Sequence, residues 1–127
     1  MGARSSFVDL TAMLIALVAL AIIIVPQYLR IKNNAHLATI RSDLRSLVSA
    51  EESYYSDYRT YTTALPPAQY VPSPGVTYQV EAADATGWRA SASSRSLVRS
   101  HRKVTSCHVA VGSAVHDGET EADPTCP

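Results

Sequence analysis

Neither sign of charge predominates in this chain: 11 lysines and arginines meet 11 aspartates and glutamates. A general electrostatic attraction to nucleic acid therefore has no basis, and no nucleic-acid partner is expected. Glycine is scarce, with 5 residues in the chain, and none sits in a phosphate-cradling loop. G-x-S-x-G and H-E-x-x-H are both missing, and no carboxylate pair falls on a predicted rigid element at a spacing suited to acid–base work. These absences exclude the common catalytic frameworks. The expectation is a protein that is not an enzyme, with no cofactor, no metal and no small-molecule substrate.

Cysteine is limited to Cys107 and Cys126. An even count in an exported domain favours one disulfide. It would close a loop of roughly twenty residues and contribute about 3 kcal/mol in the chain-entropy model. Two free thiols are the alternative in a cytosolic chain. Zinc ligation by Cys107, His108, His116 and Cys126 is a weak reading. No C-x-x-C occurs, and strand alternation puts Cys107 and His108 on opposite faces.

What the chain does have is the run FVDLTAMLIALVALAIIIVPQYLR, from Phe7 to Arg30. Between Leu10 and Val25 the only polar side chain is Thr11. That core is about sixteen residues, or roughly 24 Å as a helix, whereas a bilayer needs about 20 residues. Beginning the span at Phe7 supplies the length but brings Asp9 into the apolar zone, where an ionised carboxylate needs a partner or a function. A cleaved secretory signal would need an A-x-A-like site, and IIIVPQYLRIKNN offers none. A plain signal anchor leaves Asp9 unexplained. A buried soluble helix of this kind asks too much of one small domain, since only roughly a hundred residues remain to cover it. Arg4 precedes the run, and Arg30, Lys32, Arg41 and Arg45 follow it. Taken alone, that bias would put the C-terminal part in the cytoplasm. A disulfide would put it outside, and the disulfide is preferred.

Pro26 lacks an N–H and opposes the carbonyl of Ile22, so a bend is expected between them. Beyond it, Leu37, Ile40, Leu44, Leu47, Glu51 and Tyr54 recur at spacings of three and four. That is an amphipathic stripe, apolar but for Glu51. Asp43, Arg41 and Arg45 are assigned to other faces. One helix is thus predicted from near Phe7 to about Tyr55, roughly 70 Å long and kinked at Pro26. Its first half needs lipid or other apolar helices. Its second half needs a small domain packed along Leu37, Ile40, Leu44 and Leu47.

The remainder begins with the proline-rich loop SDYRTYTTALPPAQYVPSPG, tethered by Tyr58, Tyr61 and Tyr70. Three alternating stretches follow. In VTYQVEA the residues Val76, Tyr78, Val80 and Ala82 share a face. In GWRASAS the face is Trp88, Ala90 and Ala92, and in VTSCHVAVG it is Cys107, Val109 and Val111. Period two with one apolar face predicts an antiparallel sheet laid on the helix stripe. ADATG is read as the first hairpin turn, with Gly87 as its glycine. Arg95, Arg99, His101, Arg102 and Lys103 form a basic stretch with no interleaved aromatic, which favours a solvated connection over a binding patch. Asp117, Glu119, Glu121 and Asp123 do not have the spacing of an EF-hand loop.

The first sixty or so residues resemble the type IV pilins and their type II secretion relatives, the pseudopilins. Asp9, Pro26 and Tyr28 have the mutual spacing of the acid, proline and tyrosine of that family's N-terminal helix, and SLVSAEESYYSDYRTYT resembles the end of a pilin helix and the loop after it. The resemblance implies an α+β fold, with a long kinked N-terminal helix on a small antiparallel sheet. It divides the chain into a leader-like segment 1–4, an apolar half-helix 5–28, an amphipathic half-helix 29–55 and a β-sheet region 56–127 with a disulfide-closed C-terminal loop. In this register a prepilin peptidase would cut between Arg4 and Ser5. The family usually has glycine before the cut and phenylalanine soon after it, and this chain has Gly2 and Phe7 displaced from those places. Asp9 would pair with the freed, often methylated amine of a neighbouring subunit. The implied function is a structural subunit, self-associating into a helical filament that serves adhesion or motility. The subunit would be stored first as a single-pass protein of the bacterial inner membrane. The pilus assembly machinery would then move it into an extracellular pilus or periplasmic filament. A secretion pseudopilin, some of which bind calcium near the C-terminus, and a membrane-anchored extracytoplasmic binding module are the alternatives.

Overall fold

The computed structural model describes residues 2–99 and 106–127, with side chains described for 6–97 and 106–127. The order of elements is α1 (Gly2–Tyr58), β1 (Val76–Ala83), β2 (Gly87–Ser94), a short helix α2 (Arg95–Arg99) and β3 (Ser106–Gly112). The fold is α+β, one long N-terminal helix and a three-stranded antiparallel sheet of order β1-β2-β3. Two compact units divide the chain, Met1–Asn34 and Ala35–Pro127.

Helix α1 continues through Pro26 without a break. Proline removes one bond from the ladder, and the turns on either side supply many more. The helix runs three residues past the expected Tyr55. Its end is set by Arg59, whose φ of 58° is left-handed and whose N–H donates to Tyr55 O at 2.8 Å. This is a helix-terminating αL cap made without glycine, which is why no glycine marks it in the sequence.

The second unit is built on the predicted stripe. Ile40, Leu44 and Leu47 are fully buried, and Leu37 and Tyr54 pack at the margin. They share one core with Leu65, Val80, Trp88, Ala90, Cys107 and Val109. The faces of β2 and β3 follow the predicted alternation. That of β1 changes partway. Its register with β2 shifts between Val80 and Ala82, so Val80 faces Ala90, Ala82 faces Arg89 and Ala83 faces Trp88. A bulge at this place inserts Glu81. Ala82, expected in the core, is exposed, and Ala83 joins the core margin in its place.

The first hairpin turn is held by Asp84, whose Oδ1 accepts from Thr86 N (2.6 Å), Thr86 Oγ1 (2.7 Å) and Gly87 N (3.0 Å). Those bonds keep the Asp84 carboxyl below its usual range. Gly87 is not the left-handed residue of the turn. It begins β2, and a Cβ there would stand 2.4 Å from Val111 O. Its role is close approach of β2 to β3.

The core predicts its own sensitivity. Leu44→Ala is expected to lower stability by about 3 kcal/mol, measured by denaturant unfolding of the detergent-solubilised chain. A loss below about 1 kcal/mol would mean that the stripe does not carry the core.

Candidate assembly segment and candidate surface loop

In the first unit the helix is apolar on every side, and no residue of its most apolar stretch is buried. Phe7, Ile15, Ile22 and Ile31 are each more than about two-thirds exposed, the largest value being 72% at Phe7. By length and composition the helix can cross a membrane near its N-terminus. Thr11 does not spoil this. Its Oγ1 lies 3.0 Å from Phe7 O and 2.9 Å from Val8 O, so its proton is satisfied within the helix. Asp9 is different: among the described residues it has no hydrogen bond or ion pair within the chain. The side chains of Arg4 and Ser5, expected to flank a processing site, lie outside the described residues.

In the second unit the polar side chains hold loops onto α1. Asp43, assigned to an outer face by its spacing, is buried. Its Oδ2 accepts from Ser73 N at 2.9 Å and its Oδ1 from Ser73 Oγ at 2.7 Å. Tyr70, also buried, donates its hydroxyl to Asp43 O at 3.1 Å. Together they fasten the proline-rich loop to the helix. Tyr61 stacks on Tyr55 and donates to Glu52 at 3.0 Å. Burial and that bond push its phenol up to about 12. Tyr58, expected as a third tether, is exposed beside Tyr54.

Glu51 is fully buried. Oε2 accepts from Thr62 N at 3.1 Å, and Oε1 has no partner among the described residues. Burial raises its carboxyl above the ordinary 4.5, the Thr62 bond opposes this, and nearby Glu52 adds to it.

The C-terminal segment is fixed by several contacts. Cys107 and Cys126 form the expected disulfide. His108 and Thr125 exchange both backbone hydrogen bonds at 2.8 Å, which pairs the last residues with the outer edge of β3. The zinc reading of Cys107, His108, His116 and Cys126 fails because both sulfurs are committed to each other. Three of the four acids of the C-terminal acidic stretch, Glu119, Glu121 and Asp123, are held in other contacts. Arg89 forms a two-pronged ion pair with Glu119, Nη1 to Oε1 at 3.2 Å and Nη2 to Oε2, which holds the Glu119 carboxyl low. Glu121 accepts from Gly112 N at 2.9 Å, and Asp123 pairs with Arg45 at 3.2 Å. The Arg45–Asp123 pair is exposed and contributes little by itself. Among the described residues no group of three or more His, Cys, Asp or Glu side chains is placed to hold a metal ion.

In the basic stretch, the side chain of Arg99 and residues 100–105, with His101, Arg102 and Lys103, lie outside the described residues. Arg95 begins α2, and Leu97 two residues on is fully buried. The stretch is therefore not a wholly solvated connection. The roles of Asp43 and Arg89 were missed by the sequence reading. Asp43 lies three residues after Ile40 and four before Leu47, so helical spacing already placed it at the edge of the stripe. Nothing in the sequence couples Arg89 to Glu119. Comparison with family models and with curated proteins finds no match for this chain.

The burial of Glu51 has a pH signature. Its folded pKa is raised, so its contribution to stability is complete below the unfolded value and is lost as pH climbs through the folded one. Glu51→Gln keeps an acceptor for Thr62 N. It is expected to be more stable than wild type at pH 7 and equal to it below about pH 4. Denaturation at the two pH values checks this, and a difference independent of pH contradicts it.

Proposed function

We propose that the chain is a structural subunit of a type IV pilus or related filament, stored in a membrane and polymerised through the first half of α1. The observation that carries this reading is the complete exposure of the apolar stretch of α1 with Asp9 unpaired within it. Lipid covers such a surface, and so do other copies of the same helix. The two are similarly apolar, so exchanging one for the other need not be prohibitive. A carboxylate taken into such packing is tolerable only when it meets an opposite charge. The freed amine of a neighbouring subunit would serve, and the pairing would also set the axial register. Pro26 loosens the ladder within the segment that must suit both surroundings. The second unit, with its fastened loops and disulfide, would form the outer surface. The resemblance at Asp9, Pro26 and Tyr28 supports the same reading.

Single cysteines at Leu14 or Leu17 are expected to cross-link copies of the chain to one another in assembled material. A helix that acts only as a tether for a binding module would give monomers. Asp9→Ala is expected to leave membrane insertion intact and to reduce filament yield at least roughly tenfold, read by shearing and immunoblot. Normal filament yield from Asp9→Ala would end the pairing role.

A further inference from the structure

The two sulfurs of the Cys107–Cys126 bridge stand in different surroundings. Cys107 is fully buried on the core face of β3, in one cluster with Ala90, Ala92 and Val109. His108, the titratable residue beside it, alternates to the other face of the strand. Cys126 is partly exposed at the margin of the core. It borders a hollow of about 390 Å³ whose charged residues are Arg41, Arg45 and Asp123. Arg41 Nε donates to Cys126 Sγ at 3.3 Å. Asp123 is engaged by Arg45 at 3.2 Å, and among the described residues no carboxylate pairs with Arg41. The charge that meets the Cys126 sulfur is therefore a cation. The C-terminal segment is also held without the bridge. His108 and Thr125 exchange both backbone bonds, Ala122 N donates to Ala110 O at 2.9 Å, and Glu121 and Asp123 add their contacts. With the bridge open, these bonds keep Cys126 beside Arg41 and Cys107 in the core.

We propose that Cys126 is the entry point for oxidation of this chain: the thiol that meets an external disulfide-carrying oxidant, with Arg41 favouring its thiolate. The thiolate is the reactive form, and an adjacent guanidinium lowers a thiol's pKa, whereas apolar burial raises it. In the first step the Cys126 thiolate attacks one sulfur of the oxidant. The oxidant's S–S bond breaks, and its other sulfur leaves with the electron pair as a thiolate. Cys126 is then joined to the oxidant in a mixed disulfide. In the second step Cys107 Sγ attacks Cys126 Sγ and expels the remaining half of the oxidant, and the Cys107 proton passes to that leaving thiolate. The chain's two thiols give up two electrons, and the oxidant's disulfide takes both. The same asymmetry opposes the reverse reaction. A reducing thiol meets Cys126 before the buried Cys107, and attack at Cys126 must expel Cys107 as a thiolate into an apolar core. The better leaving group, Cys126, is released only by attack on the covered sulfur. The bridge is inserted readily and removed slowly. None of this rests on the filament reading.

The test uses the reduced full chain in dodecyl maltoside micelles. It is treated briefly with glutathione disulfide, quenched in acid and cleaved at the acids between the two cysteines. Mass spectrometry is expected to find the mixed disulfide on Cys126 at least about tenfold more often than on Cys107. Substoichiometric iodoacetamide then gives the alkylation rate of each thiol against pH. Lowering a thiol's pKa by one unit raises its thiolate at pH 7 roughly eightfold and costs about threefold in nucleophilicity. Arg41→Ala is accordingly expected to slow Cys126 about threefold at pH 7 and to move its pH midpoint up by about one unit. Arg41→Lys should restore most of both effects. Arg41 is exposed, so neither change disturbs the core. Lys32→Ala, which removes a cation of the first unit, is expected to change neither. The proposal is overturned if Cys107 is labelled as fast as Cys126 or faster, whether because both are open or because the reduced chain has lost its fold. It is overturned equally if Arg41→Ala leaves the pH midpoint of Cys126 where it was, or if Lys32→Ala moves it as far.

Discussion

The constraint from which the rest follows is that the first half of α1 cannot remain as it is in water. Burying apolar surface is worth about 25 cal/mol per Å², and here large apolar side chains from Phe7 to Ile31 are all left uncovered by their own chain. The core of the second unit is built around Ile40, Leu44 and Leu47 and includes none of these uncovered side chains. The cover must come from outside, as lipid or as protein. That requirement makes the single carboxylate at Asp9 consequential. In water it would be one surface charge among many, but within an apolar environment it demands a partner.

The second unit solves a different problem with the same helix. Past Asn34 the helix becomes one-sided, and the sheet covers that side. Apolar packing alone would leave the long connection from Arg59 to Gly75 loose. Buried polar groups on the helix hold it instead: Asp43 takes two bonds from Ser73, and Glu51 takes one from Thr62. In each bond a backbone N–H or a hydroxyl donates to a carboxyl oxygen, a contact that is stronger when the carboxyl is ionised. Among the described residues, one oxygen of Glu51 has no partner, and neither has Trp88 Nε1 in the same core. The unit therefore combines a tightly fastened loop with an incompletely satisfied interior.

Much of this was legible in the sequence because periodicity reports burial directly. The spacing of Leu37, Ile40, Leu44 and Leu47 identified the helix face, and alternation identified the inner faces of β2 and β3. The pairing of Cys107 with Cys126 followed from having only two cysteines. What periodicity could not show were departures from period. The bulge at Glu81 moves Ala82 outward and Ala83 inward, and a single inserted residue leaves no compositional mark. The left-handed cap at Arg59 is made by a residue that normally avoids that conformation. Asp43 was misplaced because a charged residue at the edge of a stripe is usually solvated, and only the loop around Ser73 makes its burial tolerable. The ion pair of Arg89 with Glu119 depends on a fold-back of the C-terminal segment that local sequence does not encode.

The arrangement of the sheet borders bears on how copies of this chain can meet. Along one border the last residues lie against β3, with Thr125 saturating His108 and a sulfur bridge locking them there. Along the other, the bulge bends β1 and turns a glutamate outward. Open, flat strands invite runaway stacking of one molecule onto the next, and the bridge at His108 and the bulge in β1 each work against it. Propagation by strand addition is thereby discouraged on either flank. If copies of this chain assemble into an ordered polymer, as proposed, helical surface is a better source of cohesion than strand addition.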